Sequence, residues 1–254
     1  MYSETRNMAD YEADYHTLPF EHIQTKFRRA HVLGEISRKS PKHLLEIGCG
    51  TLPLFTDLAA NIAVTVIEPV AEFAANAHKL AQSRKNTFIV HGFVEDFQTK
   101  THDFDMIVLS CLLHEVPNPA ILLAAVRSLC RIDTVLHINV PNARSLHRLL
   151  ATAMGLIPEP GTQSNTQLKM QQRATTYEAE SLRSELVQAG FTVTEQGSLF
   201  VKPFAHAQMQ QLVDQGFITL SMLEGFDKLV HWLPDLGSEI WVNVQLNKNG
   251  AFNW

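Results

Sequence analysis

Apolar positions along the 254-residue chain fall into two rhythms. Between residues 20 and 37, Ile23, Phe27, Ala30, Leu33 and Ile36 recur every three or four places, the period of one helix face, and Ser40-Pro41 ends the run. Short continuous apolar runs follow: HLLEI (43–47), AVTVI (63–67), TFIV (87–90), FDMIVLS (104–110) and DTVLHINV (133–140). Runs of this length bounded by turn residues read as strands buried on both faces. Helical stretches separate them: one after Pro53 to about Ala60, one from Val70 to Ser83 with Phe73, Ala77 and Leu80 on one face, and one from Pro119 to Leu129. Pro53 suits a first helical turn because the N–H it lacks would find no partner there. Strands alternating with helices predict an α/β fold, a largely parallel sheet covered on both faces.

Beyond the fifth strand the rhythm changes. Residues 144–157 read as a helix and 158–167 as a loop. Thr175 and Glu178 have capping-box spacing for a helix carrying Leu182, Leu186 and Val187, which stops at Gly190. FTVTEQGSLFV (191–201) is a sixth strand, and residues 205–233 hold two more helices, the second with Leu220, Leu223, Phe226, Val230 and Leu233 inward. EIWVNVQL (239–246) is a seventh strand. Met209, Phe217, Met222, Phe226 and Trp232 in the late helices are expected in the core or a dimer contact, or else along an apolar acceptor pocket.

Composition narrows the setting. A hydrophobic fraction of 45% supports a sizeable core, and no apolar run approaches the roughly 18 residues needed to cross a bilayer. The first residues, MYSETRNMADYEADYH, are polar and acidic, unlike a secretory leader. A net charge of −5 argues against nucleic acid as the main partner. The local exception is Lys26, Arg28, Arg29, Arg38, Lys39 and Lys42 with only Glu35 between them, which reads as a solvated helix face. Three cysteines without CxxC spacing point to a reducing, cytoplasmic setting rather than a disulfide framework or zinc site. No Asp/Asn/His cluster suggests a metal.

The candidate chemistry begins at LLEIGCGTLPLF (44–55), a strand running into Gly48 and Gly50. Glu68 ends the second strand 20 positions after Gly48, where nucleotide-binding folds place an acid against the ribose hydroxyls. A dinucleotide loop would have a third glycine where Pro53 stands, and Glu46 sets a negative charge beside the turn, where a pyrophosphate would be repelled. A cationic ligand would welcome that charge.

On E-I-G-C-G (46–50), I-E-P (67–69), H-G-F-V-E-D-F (91–97) and F-D-M-I-V-L-S-C-L-L-H-E-V (104–116), in this order and spacing, the chain resembles the class I S-adenosylmethionine (SAM)-dependent methyltransferases. The stretch V-P-N-A-R-S-L-H-R (140–148) is similar to a bacterial small-molecule subgroup. The resemblance implies a Rossmann-like sheet of seven strands, mostly parallel with an antiparallel last strand. It implies a SAM-binding core over 41–140; the helix over residues 1–40 and the extra helices of 141–254, the half that also completes the sheet, are expected to build a lid over the sheet's C-terminal edge. It places Glu46, Gly48, Cys49 and Gly50 beside the methionine part of SAM, Glu68 on the ribose, and Pro69 and Val70 against the adenine. Phe93, Val94 and Glu95 would reach the adenine amino group, and Ser110 and Cys111 would lie under the sulfonium. Two positions depart from the family pattern: Leu52 replaces a glycine, and Phe93 replaces an acid, which passes the adenine contact to Glu95 or to backbone groups.

Methyl transfer needs the nucleophile held in line in a desolvated pocket, with a base when the acceptor is a hydroxyl or ammonium. His114 and Glu115, just past the fourth strand, are the candidate catalytic pair; the ordinary alternative for His114 is a loop-packing residue. Asn139, Asn142 and His147 are candidate acceptor-lining residues, and His137, within a strand, is expected in the core. A cation of F-R-R-A-H (27–31) is a candidate clamp for the SAM carboxylate, with surface charge as the alternative. The expected activity is O- or N-methylation of a small molecule by SAM, giving S-adenosylhomocysteine (SAH), by a cytoplasmic protein, possible homodimer, with no nucleic-acid or membrane partner. The alternatives are a SAM- or SAH-binding scaffold without turnover, and an NAD-dependent oxidoreductase, which Pro53 and the lack of a Tyr-x-x-x-Lys pair disfavour.

Overall fold

The computed structural model describes residues 19–99, 103–163 and 176–247. Helix α1 (Glu21–Lys39) leads into β1 (His43–Ile47), β2 (Ala63–Glu68), α2 (Ala71–Ala81), β3 (Thr87–His91) and β4 (Met106–Ser110). Then come α3 (Pro119–Leu129), β5 (Val135–Pro141), α4 (Leu146–Ala153), α5 (Ala179–Gln188), β6 (Phe191–Leu199), α6 (His206–Asp214), α7 (Leu220–Lys228) and β7 (Glu239–Leu246). The seven strands form one sheet, as the seven-run reading predicts, and their order is β3-β2-β1-β4-β5-β7-β6. All neighbours pair parallel except β7, which is antiparallel to both β5 and β6.

Alternate strand residues face opposite layers. Leu44, Val64, Val66, Met106 and Val108 pack with Val32 and Ile36 of α1 and Ala77 of α2. Leu45, Ile67, Ile107 and Leu109 pack on the other face with Leu122 and Val126 of α3 and Leu182 and Leu186 of α5. A third cluster of Phe20, Leu199, Phe200, Met209, Ile218 and Leu223 ties α6 and α7 to the start of α1 and the end of β6. Asn118 caps α3, its side chain accepting from the Ile121 amide, and Pro119 opens that helix, so its boundaries follow from the sequence.

Three expectations need correction. The helix expected after Pro53 is a single 3₁₀ turn, Leu54–Asp57. The helix expected over 144–157 is confined to Leu146–Ala153. The late helices bury less than their apolar content implies: Met209 and Leu223 are inside, but Leu220 and Met222 face out, and Phe217 and Trp232, which fall outside both helices, are 67% and 82% exposed. Each of these helices spans only 9 residues, too few turns to bury more than one stripe. Thr175, the expected partner of Glu178 in a capping box, lies outside the described residues; Glu178 stands at the helix N-cap, where its amide donates to Ser181. Among the described residues no helix is long and apolar enough to cross a membrane.

The topology sets the place of the site. The glycine turn after β1, Glu68 at the end of β2, Ser110 at the end of β4 and Pro141 at the end of β5 lie along the carboxyl edge of the parallel strands. Because β7 runs the other way, its first residue, Glu239, arrives at the same edge, opposite Pro141 and Leu199.

Candidate active site

A cavity of about 780 Å³ opens along this edge, toward the upper end of the range for ligand pockets. Its walls include Glu46, Gly48, Cys49, Gly50, Glu68 and Pro69 at one end, Ser110, Cys111, His114 and Glu115 in the middle, and Asn142, His147, Lys202 and Glu239 at the other. A small second cavity of about 40 Å³ adjoins it, sharing Gly48, Pro69 and Leu112 and walled further by Phe93, Val94 and Glu95. The three residues expected at the adenine thus meet in a side chamber rather than in the main cavity.

At the first end, two buried carboxylates organise the turn. Glu46 accepts from the Leu54 amide through both oxygens, at 3.1 and 2.9 Å. Glu68 accepts from the amides of Cys49 (2.8 Å), Gly50 (3.2 Å) and Val70 (2.9 Å). Burial pushes the Glu46 carboxyl up to about 8, against the pull of the Leu54 amide and Arg29 and with the push of Glu68. Glu68 is raised too, by burial that outweighs its three amide bonds. Gly48 and Gly50 adopt φ of +75° and +55°, conformations that favour glycine, and a Cβ on Gly48 would come within 3.4 Å of Leu112.

This arrangement decides against a dinucleotide. The amides of Cys49 and Gly50, which would cradle a pyrophosphate, already donate to Glu68. The missing helix after Pro53 also removes the helix N-terminus whose partial positive charge would seat a phosphate. What faces the cavity here is acid, an environment for a cation.

Cys111 sits just past β4 with φ of +53°, a strained conformation for a side-chain-bearing residue. Its Sγ lies 3.6 Å from Glu239 Oε2 and 3.4 Å from Asn139 Nδ2. His114 and Glu115 follow, both nearly buried, with His114 Nε2 3.7 Å from Glu115 Oε1.

At the far end the network comes from side chains. Arg28 donates to both oxygens of Glu239, with Nη2 to Oε1 at 2.7 Å, and to Glu21 at 2.9 Å. Gln24 donates to Ser238 at 2.6 Å and Glu239 at 3.0 Å, and accepts from the buried Lys202 at 3.0 Å. Burial alone would raise Glu239, but Arg28 and the bonds from Gln24 and Asn139 hold it at about 2. Residues 21, 24 and 28 share one face of α1, so the network pins that helix to the start of β7.

Several expectations land differently here. Arg28 and Arg29 line the cavity, but each is already committed: Arg28 to Glu239 and Glu21, Arg29 to Asp57 and the carbonyls of Leu52 and Pro53. Both cations thus stand at the cavity wall while tying α1 to β7 and to the loop after the glycine turn. Asn139 does not line the cavity: it is wholly buried beneath it, donating to Glu239 at 2.8 Å. Asn142 does line it but spends its amide on the carbonyls of Asp235 and Gly237, fixing the loop before β7. His137 is in the core, bonded to Asn243 at 2.8 Å, as expected of a strand residue. Sequence reasoning misses Gln24, Lys202 and Glu239; the signal for Glu239 is an acid opening a β-rich run, EIWVNVQL. Among the described residues no group of three or more His, Cys, Asp or Glu can hold a metal ion.

The family model of a methyltransferase domain matches residues 20–196. Among solved structures, the chain is similar to the plantazolicin methyltransferase BamL, solved with a desmethyl analogue and SAH: 19% identity, 90% of this chain and 88% of that one, TM-score 0.58. It is similar to the N-methyltransferase NodS of Bradyrhizobium japonicum in complex with SAH, at 14% identity over 91% of this chain and 89% of that one, TM-score 0.54. It is also similar to the mitomycin 7-O-methyltransferase MmcR, at 12% identity over 82% of this chain and 50% of that one, TM-score 0.53. No curated protein matches the sequence. At these identities the structural likeness speaks for the fold.

Proposed function

The chain belongs to the methyltransferase-domain family, and from that premise we propose that it methylates an oxygen or nitrogen of a small-molecule acceptor with SAM. The observation that carries this reading is the acidic glycine turn, in which Glu46 and Glu68 are buried side by side and the loop amides offer nothing to a phosphate. SAM, when bound, supplies a methyl group already activated by its sulfonium charge.

The residues present fit that ligand. Glu46, Gly48, Cys49 and Gly50 would surround its methionine part, whose ammonium the Glu46 carboxylate stabilises. Glu68 would take the ribose: three amides use three of its roughly four acceptor positions, leaving one for a hydroxyl. Pro69 and the side chamber of Phe93, Val94 and Glu95 would hold the adenine, and Ser110 and Cys111 would border the sulfonium.

His114 and Glu115 would hold the acceptor's attacking group and take the proton it releases, because both face the cavity beyond Cys111. Both side chains are nearly buried, so the pair is largely desolvated where it meets the cavity. The test is methyl transfer to a panel of phenols and amines by wild type and His114→Ala. Turnover of the variant should fall by about a hundredfold, the lower range for a general base, with SAH affinity unchanged. A fully active variant removes His114 from the chemistry, and SAH binding without transfer to any acceptor would favour a scaffold.

A further inference from the structure

One part of the cavity remains unused by the cofactor reading: the end around Lys202. Phe200, with φ of +57°, turns the chain after β6, and Lys202 is thereby carried inside. Its side chain is only 2% exposed yet borders the cavity. Among the described residues no carboxylate lies within ion-pair distance; the ammonium donates to Gln24 at 3.0 Å and sits 5.8 Å from the centre of the Phe20 ring. Burying a lysine costs several kcal/mol unless a partner compensates, so this arrangement calls for one. The acids nearby are already engaged: Glu239 by Arg28, Gln24 and Asn139, and Glu21 by Arg28 and Thr25.

A second polar group faces the same space. His147, on α4, borders the cavity, and its Nδ1 is buried with no hydrogen-bond partner among the described residues. Burial first, and then the positive charges of Lys202, His206 and Arg148, push this imidazole well below its ordinary value. Lys202 itself is brought down to about 7 by burial, with Glu21 and Glu239 opposing and Arg28 adding to the fall. His206, 4.0 Å from Glu21, is lowered to about 3, again chiefly by burial. Burial thus favours the neutral forms of three basic groups in one corner.

The walls beyond are apolar. Met154 and Leu156, 63% and 65% exposed, stand at the rim with Leu150 and Phe204. Exposed large apolar residues gathered at a cavity mouth mark a surface that a ligand covers.

We propose that Lys202 and His147 form a carboxylate-binding subsite for the methyl acceptor, and that the acceptor is an organic acid with an apolar body. The ammonium donates to the carboxylate and His147 adds a neutral donor through Nδ1–H. The nearby charges of Glu21 and Glu239 favour a singly charged carboxylate over a phosphate. This inference rests on the methyl-transfer reading for the role of the cavity, but it is tested by acceptor binding.

The experiment uses protein labelled at lysine Cε with ¹³C and saturated with SAH, titrated by NMR with benzoate, benzyl alcohol and benzylamine in turn. Lys202, assigned by its loss in Lys202→Met, should titrate near neutral pH alone and at higher pH with benzoate. Benzyl alcohol and benzylamine should leave it unmoved. Lys202→Met should weaken benzoate at least tenfold, about the strength of a charge-assisted bond, while Lys202→Arg retains it. A Lys202 resonance that benzoate does not shift, or tighter binding of benzylamine, overturns the proposal. Failure of SAH to bind in the first step would instead overturn the cofactor reading, so the two failures are separable.

Discussion

At the glycine-turn end of the cavity, the amide of Cys49 meets Glu68 across 19 positions of chain, whereas at the opposite end Gln24 meets Glu239 across 215. The first end is held by backbone amides donating to two acids inside one β-turn-β unit. The second is held by side chains from α1, β5, the loop after β6 and the start of β7, which meet only when the sheet is complete. The near end, the proposed SAM seat, thus comes with the local fold. The far end is a strut between distant segments, and its chemistry depends on the whole domain.

Breaking the strut should have the largest effect. Glu239→Ala leaves the buried Arg28 guanidinium with Glu21 alone and should cost about 3–5 kcal/mol in denaturant unfolding, the range for one-sided loss of a buried pair. The same carboxylate predicts an acid limb. Its folded value of about 2 lies below the ordinary carboxylate range, so its stabilisation is present at neutral pH and is lost as pH falls through about 4 toward 2. A variant as stable as wild type at pH 7 would dissolve the contrast between the ends.

Breaking the seat should show the reverse pattern. Glu68→Ala should weaken SAH roughly a hundredfold by calorimetry, about 2.7 kcal/mol. Its melting temperature should fall less than that of Glu239→Ala, because the amides it frees lie beside the cavity, where water can satisfy them. Unchanged affinity would remove Glu68 from the ligand.

The same contrast explains what was legible in the sequence. Most of the strands are short apolar runs with turn residues at their ends; the central β1 and β4 are buried on both faces, while the edge strands β3 and β6 alternate or stay half exposed. The glycine turn, Glu46 and Glu68 are legible because spacing along one strand-turn-strand unit fixes their place. The helix after Pro53 was not: Glu46 reaches across the turn to the Leu54 amide and the chain closes into a 3₁₀ turn, a tertiary contact that local propensity does not carry. The place of Asn139 near a strand end suggests the cavity, but alternation along β5 points it under the floor, toward Glu239. Lys202 and Gln24 carry no local pattern at all, since their meaning comes from partners 178 positions apart.

The smallest effect is also the most direct test of the central claim, that the acidic turn seats the cation of SAM. A cation beside Glu46 favours its ionised form, so binding should lower a carboxyl that stands at about 8 in the free protein and release a proton. Calorimetry of SAM and of NAD, each in two buffers of different ionisation enthalpy at pH 7, reads this directly. The account predicts one-to-one SAM binding with close to one proton released, affinity rising with pH until about 8, and no heat from NAD. Saturable binding of NAD, or SAM binding that exchanges no proton, would contradict it.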